Sequence, residues 1–365
     1  MAANQAILDA TIRHAVFLEQ LKSGEVEKFG PFLKEIDRSI RDRLARADLT
    51  EYTARRLEVL LQEVDSLLLG IFDRYSEKLN LDLVDIANYE AQFEATSLTR
   101  AAPVGVSFEA AISGAAAIRK AILSNPLSVR GVDGGKLLKS FIDGFTATER
   151  QRLTGAIRQG FFEGQTNFQI IKNIRGTKAL KYNDGILATT NRNAGAIVRT
   201  AVQHVATQAR METLKENVDV VQAVEWVSTL DSKTTPQCRT LDKRRFKLTE
   251  GPRPPIHINC RSTVVAVTRF SDIFAEGATR ASVGDSGAQQ VRADISYYDW
   301  LRQQPSAFQD KAIGPARAKL FREGDLSIER FSELQLDRNF APLTLVQMKA
   351  LEPLAFERAG LDGFG

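Results

Sequence analysis

Three side chains in the middle of the chain have the types and spacing to do chemistry together. Cys238, His257 and Cys260 are soft or borderline ligands. His257 and Cys260 stand three apart, and Cys238 lies a loop upstream. Thiolate and imidazole together suit zinc. A closed structural site needs four ligands, and Asp231 is the candidate for the fourth. A water in that place would instead resemble a catalytic site. The bland reading is two buried thiols and a hydrogen-bonded imidazole, and a Cys238–Cys260 disulfide is the weaker option in a reducing compartment. A zinc deaminase would need H-x-E before P-C-x-x-C, but Asn259 stands where that acid/base Glu would be.

Other constellations are thinner. Arg199, Thr200 and His204 fall on one predicted helix, with Thr200 and His204 a turn apart. A lone helical His is more often structural than catalytic. The glycine-rich segment 131–137 fails as a phosphate-binding loop: Gly131 to Gly135 is one residue short, and Leu137 replaces the metal-binding hydroxyl. No paired carboxylates, Ser–His–Asp spacing or RNA-binding aromatic motif stands out. Three His in 365 residues are few for an enzyme built on several of them.

The elements that must position these residues are mostly helical. Residues 5–47 read as helix with a break at Gly30-Pro31. From Thr50 to about Asn80, Leu57, Leu60, Leu61, Val64, Leu67, Leu68, Ile71, Phe72 and Tyr75 recur at three and four, one amphipathic stripe. Asp48 or Thr50 can cap it, with Glu51 in support. Separate helices are predicted over 137–145 and from Thr148, then a short one ended by Gly176 and a long one over 189–217. The period then changes: 218–229 and 263–268 are rich in β-branched residues and read as strands flanking a long loop. The Gly-, Ser- and Ala-rich stretch 275–290 reads as a flexible connection or extended excursion. Short helices follow, punctuated by Pro305, Pro315 and Pro342, with Ser327 beginning one and Thr344 capping the last. The expected fold class is α+β: mostly helical, with long N-terminal helices, a small antiparallel β element around 218–270 and a helical C-terminal tail. The expected division is an acidic helical docking region over 1–145, an α+β core over 146–275, and a flexible connection with short helices over 276–365.

Composition narrows the class. Hydrophobic residues make up 43% and charged residues 26%, which is ordinary globular usage and excludes wholesale disorder. Two cysteines exclude a disulfide scaffold. No leader and no uninterrupted apolar run of membrane-spanning length is visible, so a soluble chain made in a reducing compartment is expected. The net charge of +4 is unevenly placed: residues 1–100 hold 13 Lys and Arg against 18 Asp and Glu. Residues 233–269 hold nine bases against Asp242 and Glu250. Such a stretch attracts polyanions, or is simply a solvated loop.

At this loop the sequence resembles the phage Mu F-like minor head proteins, also called the SPP1 gp7-like head morphogenesis family. The carriers are Arg199-Thr200 on a helix, Trp226 five residues before Asp231, Cys238 seven after it, Leu241 and Phe246, and the closing Pro255-x-His257-x-Asn259-Cys260-Arg261. The segment 157–166 matches the family's I-x-x-G-x-x-x-G-x-S/T helix. Thr235 and Ser262 stand where many members carry further cysteines, which removes two ligands and favours a site held by hydrogen bonds and packing.

The resemblance implies a minor capsid protein of a tailed phage, attached to the portal vertex and acting in head assembly and DNA delivery. Its expected partners are the portal, other capsid components and packaged double-stranded DNA bound without sequence preference, with no membrane in the assembled head. Its expected place is the head interior or portal vertex, after assembly in the host cytoplasm. Lys243, Arg244, Arg245, Lys247, Arg253 and Arg261 are the expected phosphate contacts. One alternative is an enzyme, an ADP-ribosyltransferase-like transferase acting on NAD or a nuclease, using Arg199, Thr200, His204 and Asp231 without a clear catalytic Glu motif. Another is a zinc-stabilised nucleic-acid module with no capsid role.

Overall fold

A computed structural model describes residues 5–47, 54–103, 105–270 and 279–363. The expected caps Asp48, Thr50 and Glu51 lie outside the described residues. Helices α1 (Gln5–Glu27) and α2 (Gly30–Ala45) meet at the expected break. Pro31 sits in the first turn of α2, where its missing N–H leaves nothing unpaired. Helix α3 (Ala54–Arg100) runs 47 residues, well beyond Asn80. The stripe simply continues through Leu79, Leu83, Ile86, Ala87, Ala91, Ala95 and Leu98, and no Gly or Pro interrupts it. Leu67, included in the predicted stripe, faces outward.

After α4 (Ala115–Ser124), a single helix α5 (Leu138–Phe162) replaces the two expected over that stretch. Thr148 does not cap a new helix; its hydroxyl bonds back to the Gly144 carbonyl inside a continuous one. Helix α6 (Asn167–Arg175) starts with a capping box between Thr166 and Gln169 and stops at Gly176, whose φ of 90° only glycine adopts easily. Helix α7 (Ile186–Glu216) is the centre of the molecule, packed by α1, α2, α3, α4, α5 and α6. Ala194, Val198, Ala201, Val202, Val205 and Ala209 give it an apolar side. Thr200, Gln203, His204, Arg210 and Thr213 are buried as well, so it has almost no wet face.

Strand β1 (Val221–Val227) pairs antiparallel with β2 (Arg245–Phe246) on one side and β3 (Thr263–Thr268) on the other. Trp226 stands opposite Val264, and every residue of β3 is buried. The connection between β1 and β2 holds a short helix α8 (Pro236–Leu241), capped by Thr235.

The stretch 275–290, read as a flexible connection or an extended excursion, is extended: it falls in a β-hairpin, β4 (Thr279–Gly284) and β5 (Gly287–Arg292), with its part over 275–278 outside the described residues. It is held by alternation. Arg280 and Ser282 point inward, and the Arg280 guanidinium, 1% exposed, grips both carboxylate oxygens of Asp242 and the carbonyls of Ser228 and Ile295. Removing one partner of such a buried pair characteristically costs about 3–5 kcal/mol. Six short helices follow: α9 (Tyr297–Arg302), α10 (Ser306–Ile313), α11 (Pro315–Glu323), α12 (Ile328–Glu333), α13 (Leu345–Leu351) and α14 (Pro353–Arg358). They close over Tyr297, Tyr298, Trp300, Phe321, Phe331 and Phe356. Thr344 caps α13 rather than the last helix, because Pro353 opens one more.

The helices are tied to the sheet by a buried polar cluster. Arg210 of α7 donates to Glu90 of α3 (3.2 Å), to the Val264 carbonyl (2.9 Å) and to the Thr263 hydroxyl. Its Nε lies 3.0 Å from Glu94 without the alignment of a hydrogen bond. His14 of α1 pairs with Glu90 and stacks on Phe93. Burial pushes the Glu94 carboxyl up to about 7, with Arg210 pulling against it and Glu90 adding to the rise. The folded protein therefore holds this proton more tightly than the unfolded chain, whose carboxyl titrates near 4.5. Stability from Glu94 is full below that value and is lost as pH rises to about 7. Glu94→Gln should remove that loss: its thermal midpoint should exceed the wild type's by several degrees at pH 8 and by much less at pH 5, measured by calorimetry.

Candidate metal centre and basic loop

Cys238, His257 and Cys260 come together, their ligand atoms all within 4.8 Å of one another. Cys238 is carried by α8, and the other two by the loop that leads into β3. Thr200 of α7 anchors that loop, accepting the Asn259 N–H at 3.0 Å while Asn259 sits at a φ of 60°. Cys238 Sγ is 3.1 Å from His257 Nε2 and 3.7 Å from Cys260 Sγ. His257 Nδ1 donates to the Ile258 carbonyl at 2.9 Å, which aims Nε2 at the sulfurs.

Burial pushes the Cys238 thiol well up, and the neighbouring Cys260 adds to the rise. Burial also acts to raise Cys260, but the Cys238 S–H and the His257 imidazole outweigh it and hold that thiol well below the usual range. Burial lowers His257, and Cys260 with the Ile258 carbonyl more than offsets this. The shifts of Cys260 and His257 favour charge on those two groups, and that of Cys238 favours a neutral thiol. Two sulfurs on a tetrahedral zinc stand about 3.8 Å apart, and a sulfur and an imidazole nitrogen about 3.6 Å. The sulfurs already match; the imidazole would retreat by about half an ångström and give up its Nε2 proton. The donor set fits a zinc ion with three protein ligands.

Asp231 is not among them. Its carboxylate accepts two bonds from Arg261 (2.6 and 3.0 Å), the N–H groups of Lys233 and Thr234, and the Thr234 hydroxyl. That turn geometry commits the residue expected as a fourth ligand to shaping the loop. Burial works against the Asp231 charge, but Arg261 and these N–H groups hold the carboxyl below its usual range.

Behind the trio lies wiring that sequence reasoning missed. Ser228 donates to the Cys238 carbonyl (2.6 Å) and accepts from Trp226 Nε1 (3.0 Å). Asp242 takes the Ser228 N–H (2.7 Å) as well as Arg280. Only the W-x-x-x-x-D strand end hinted at this corner, and nothing in the sequence pairs Asp242 with Arg280.

The basic stretch is less charged than its composition. Lys243 and Arg245 share the buried Glu225, at 2.8 and 3.2 Å. Lys247 pairs with Glu250, and Arg261 with Asp231. Arg253 donates to the Pro252 and Lys247 carbonyls and lies over the Phe246 ring. Arg239 is buried and donates to the Ala312 carbonyl. Arg244 has no side-chain partner of this kind among the described residues. Of the nine bases in the stretch, Lys233, Arg245, Lys247 and Arg269 are exposed.

Arg199, Thr200, His204 and Asp231 do not bond to one another among the described residues. Thr200 donates to the Ala196 carbonyl, and Arg199 reaches Ser23 and Glu19. His204 is buried toward Ile122 and Asn125, and burial lowers its pKa to about 4, so it is neutral at pH 7.

Taken together, a central helix, a three-stranded antiparallel sheet and a Cys–His–Cys corner closing the loop before β3 define an α+β structural module. Residues 151–265 match the family model described as Phage Mu protein F like protein. This segment, which spans α5 to β3, is thus similar to that family, in line with the resemblance drawn from Trp226, Asp231, Cys238 and the closing 255–261 motif. No curated protein and no solved structure matches the chain. Among the described residues, no helix is long and apolar enough to cross a membrane.

Proposed function

We propose that this chain is a minor head protein of a tailed phage, seated at the portal vertex and acting in head assembly and DNA delivery. The match of residues 151–265 to the Mu F-like family carries this reading. The acidic N-terminal helices would dock on portal or other capsid subunits, with Leu81, Tyr89, Phe17 and Val16 exposed along α1 and α3. Quantitative mass spectrometry of purified virions is the direct test. A low, fixed ratio of this chain to the portal subunit is expected; absence from mature particles would remove the virion role.

The basic loop would touch packaged DNA through its phosphates, in a sequence-independent and salt-sensitive way. Lys243 and Arg245 are partly neutralised by Glu225, so the triple change Lys243→Ala, Arg244→Ala, Arg245→Ala should lower the slope of log affinity against log salt by about one to two, not three. An unchanged slope in a filter-binding titration would take the DNA contact away from this cluster.

Cys238, His257 and Cys260 would hold one zinc ion, with water in the fourth position. The ion would staple α8 to the loop before β3. Elemental analysis of the full chain, purified without added metal, should find about one zinc per chain, and His257→Ala should lose most of it. Near-zero occupancy of the wild type would leave the trio as a hydrogen-bonded staple.

A further inference from the structure

Beside the Cys–His–Cys corner, α1, α7 and the 259–261 loop enclose a cleft of about 480 Å³. Four cations line it: Lys22 from α1, Arg192 and Arg199 from α7, and Arg261 from the loop. Lys22 is 1% exposed, at the floor. Its ammonium donates to Glu19 and Gln203, both at 2.5 Å, and an ammonium has three N–H groups to give. Arg199 spends one N–H on Ser23 at 3.3 Å and lies 3.9 Å from Glu19. Arg192, at the rim, is exposed and bonds only to the neighbouring Thr189 hydroxyl. Arg261 is held by Asp231. Burial lowers the Lys22 ammonium, Glu19 works to raise it, and Arg199 presses it down again.

Two carboxylates, Glu19 and Asp231, thus face four cations. Cations outnumber carboxylates by two around this recess, which Cys260 also lines, rather than being spread on a solvated face. We propose that this cleft binds a phosphate monoester, the group carried by a free nucleotide or by the end of a nucleic-acid strand. Such a group bears close to two negative charges at neutral pH and three acceptor oxygens. It can reach down to Lys22 end-on, which an internal phosphodiester running along a surface cannot do. Guanidinium groups offer it paired donors. Asn191 and Asn259 at the mouth would meet the sugar or base behind it. Of the six expected phosphate contacts of the basic loop, only Arg261 lines the cleft; Lys243, Arg244, Arg245, Lys247 and Arg253 do not.

Calorimetric titration of the full chain tests this with four probes: inorganic phosphate, a nucleoside 5′-monophosphate, a 5′-phosphorylated trinucleotide and the same trinucleotide with a 5′-hydroxyl. Phosphate and the nucleoside monophosphate should bind, and the phosphorylated trinucleotide should bind at least about tenfold more tightly than its 5′-hydroxyl counterpart, whose phosphodiesters meet only the basic loop. Arg192→Ala, at an exposed position, and Arg199→Gln should each weaken binding at least about tenfold. Lys139→Ala, an exposed cation on α5 outside the cleft, should leave it unchanged. Equal binding of phosphate and nucleotide would identify a free phosphate group as the ligand, and tighter binding of the phosphorylated trinucleotide a strand end. The proposal is overturned if no phosphorylated probe binds, if the hydroxyl trinucleotide binds as tightly as the phosphorylated one, or if Lys139→Ala weakens binding as much as the cleft variants.

Discussion

Helix α7 is buried on nearly every side, so each polar group along it must find its partner inside the protein. That constraint organises the molecule. Near its start, Thr190 and Asn193 donate to Glu149 of α5. Two turns beyond Asn193, Thr200 accepts the Asn259 N–H and so anchors the loop that carries His257 and Cys260. Gln203 accepts from Lys22 of α1 and donates to the Ser262 carbonyl. Arg210 reaches α3 and β3 together, and Asn217 closes the end by bonding the Ala111 backbone. Each bond is modest, but leaving any of these groups unpaired in the interior would cost about 1–3 kcal/mol. The helix therefore positions the site as a by-product of satisfying itself.

The second organising contact is the Asp242–Arg280 pair. It joins the β1–β2 connection to a hairpin some forty residues later in the chain, with Ser228 between them and the Cys238 carbonyl. A single corner thus holds the sheet, the hairpin and α8 in register. Tyr297 extends this to the C-terminal helices by donating to the Asp231 carbonyl. The Cys–His–Cys trio sits where these ties converge, which is where a metal would add most to local order.

The charged residues illustrate how composition and geometry part company. The stretch 233–269 is strongly basic when counted, yet much of that charge is spent on Glu225, Glu250 and Asp231. The cleft beside α1 carries a positive excess that no linear stretch announces, because Lys22 is far from Arg199 and Arg261 in sequence. Ion pairs form across folds, and counting along a chain misses both the pairs and the concentrations.

Much was legible from residue order alone. Apolar spacing of three and four specifies α1, α2 and the first half of α3, because that periodicity makes one buried stripe whatever it packs against. The β-branched runs specify β1 and β3, and the rare Cys, His and Trp residues mark the site and its family resemblance. The stop at Gly176 follows from local backbone chemistry. What the sequence could not determine lies in long-range pairing. The second half of α3 shows no end signal, and its persistence depends on packing against α7. The stretch 275–290 reads only as a flexible connection or an extended excursion, because its Gly, Ser and Ala residues have weak strand preference. Arg280 makes it a strand only by finding Asp242. Likewise Asp231 has the side chain of a ligand, and only the folded loop, by placing Arg261 and two N–H groups around it, turns it to structural use.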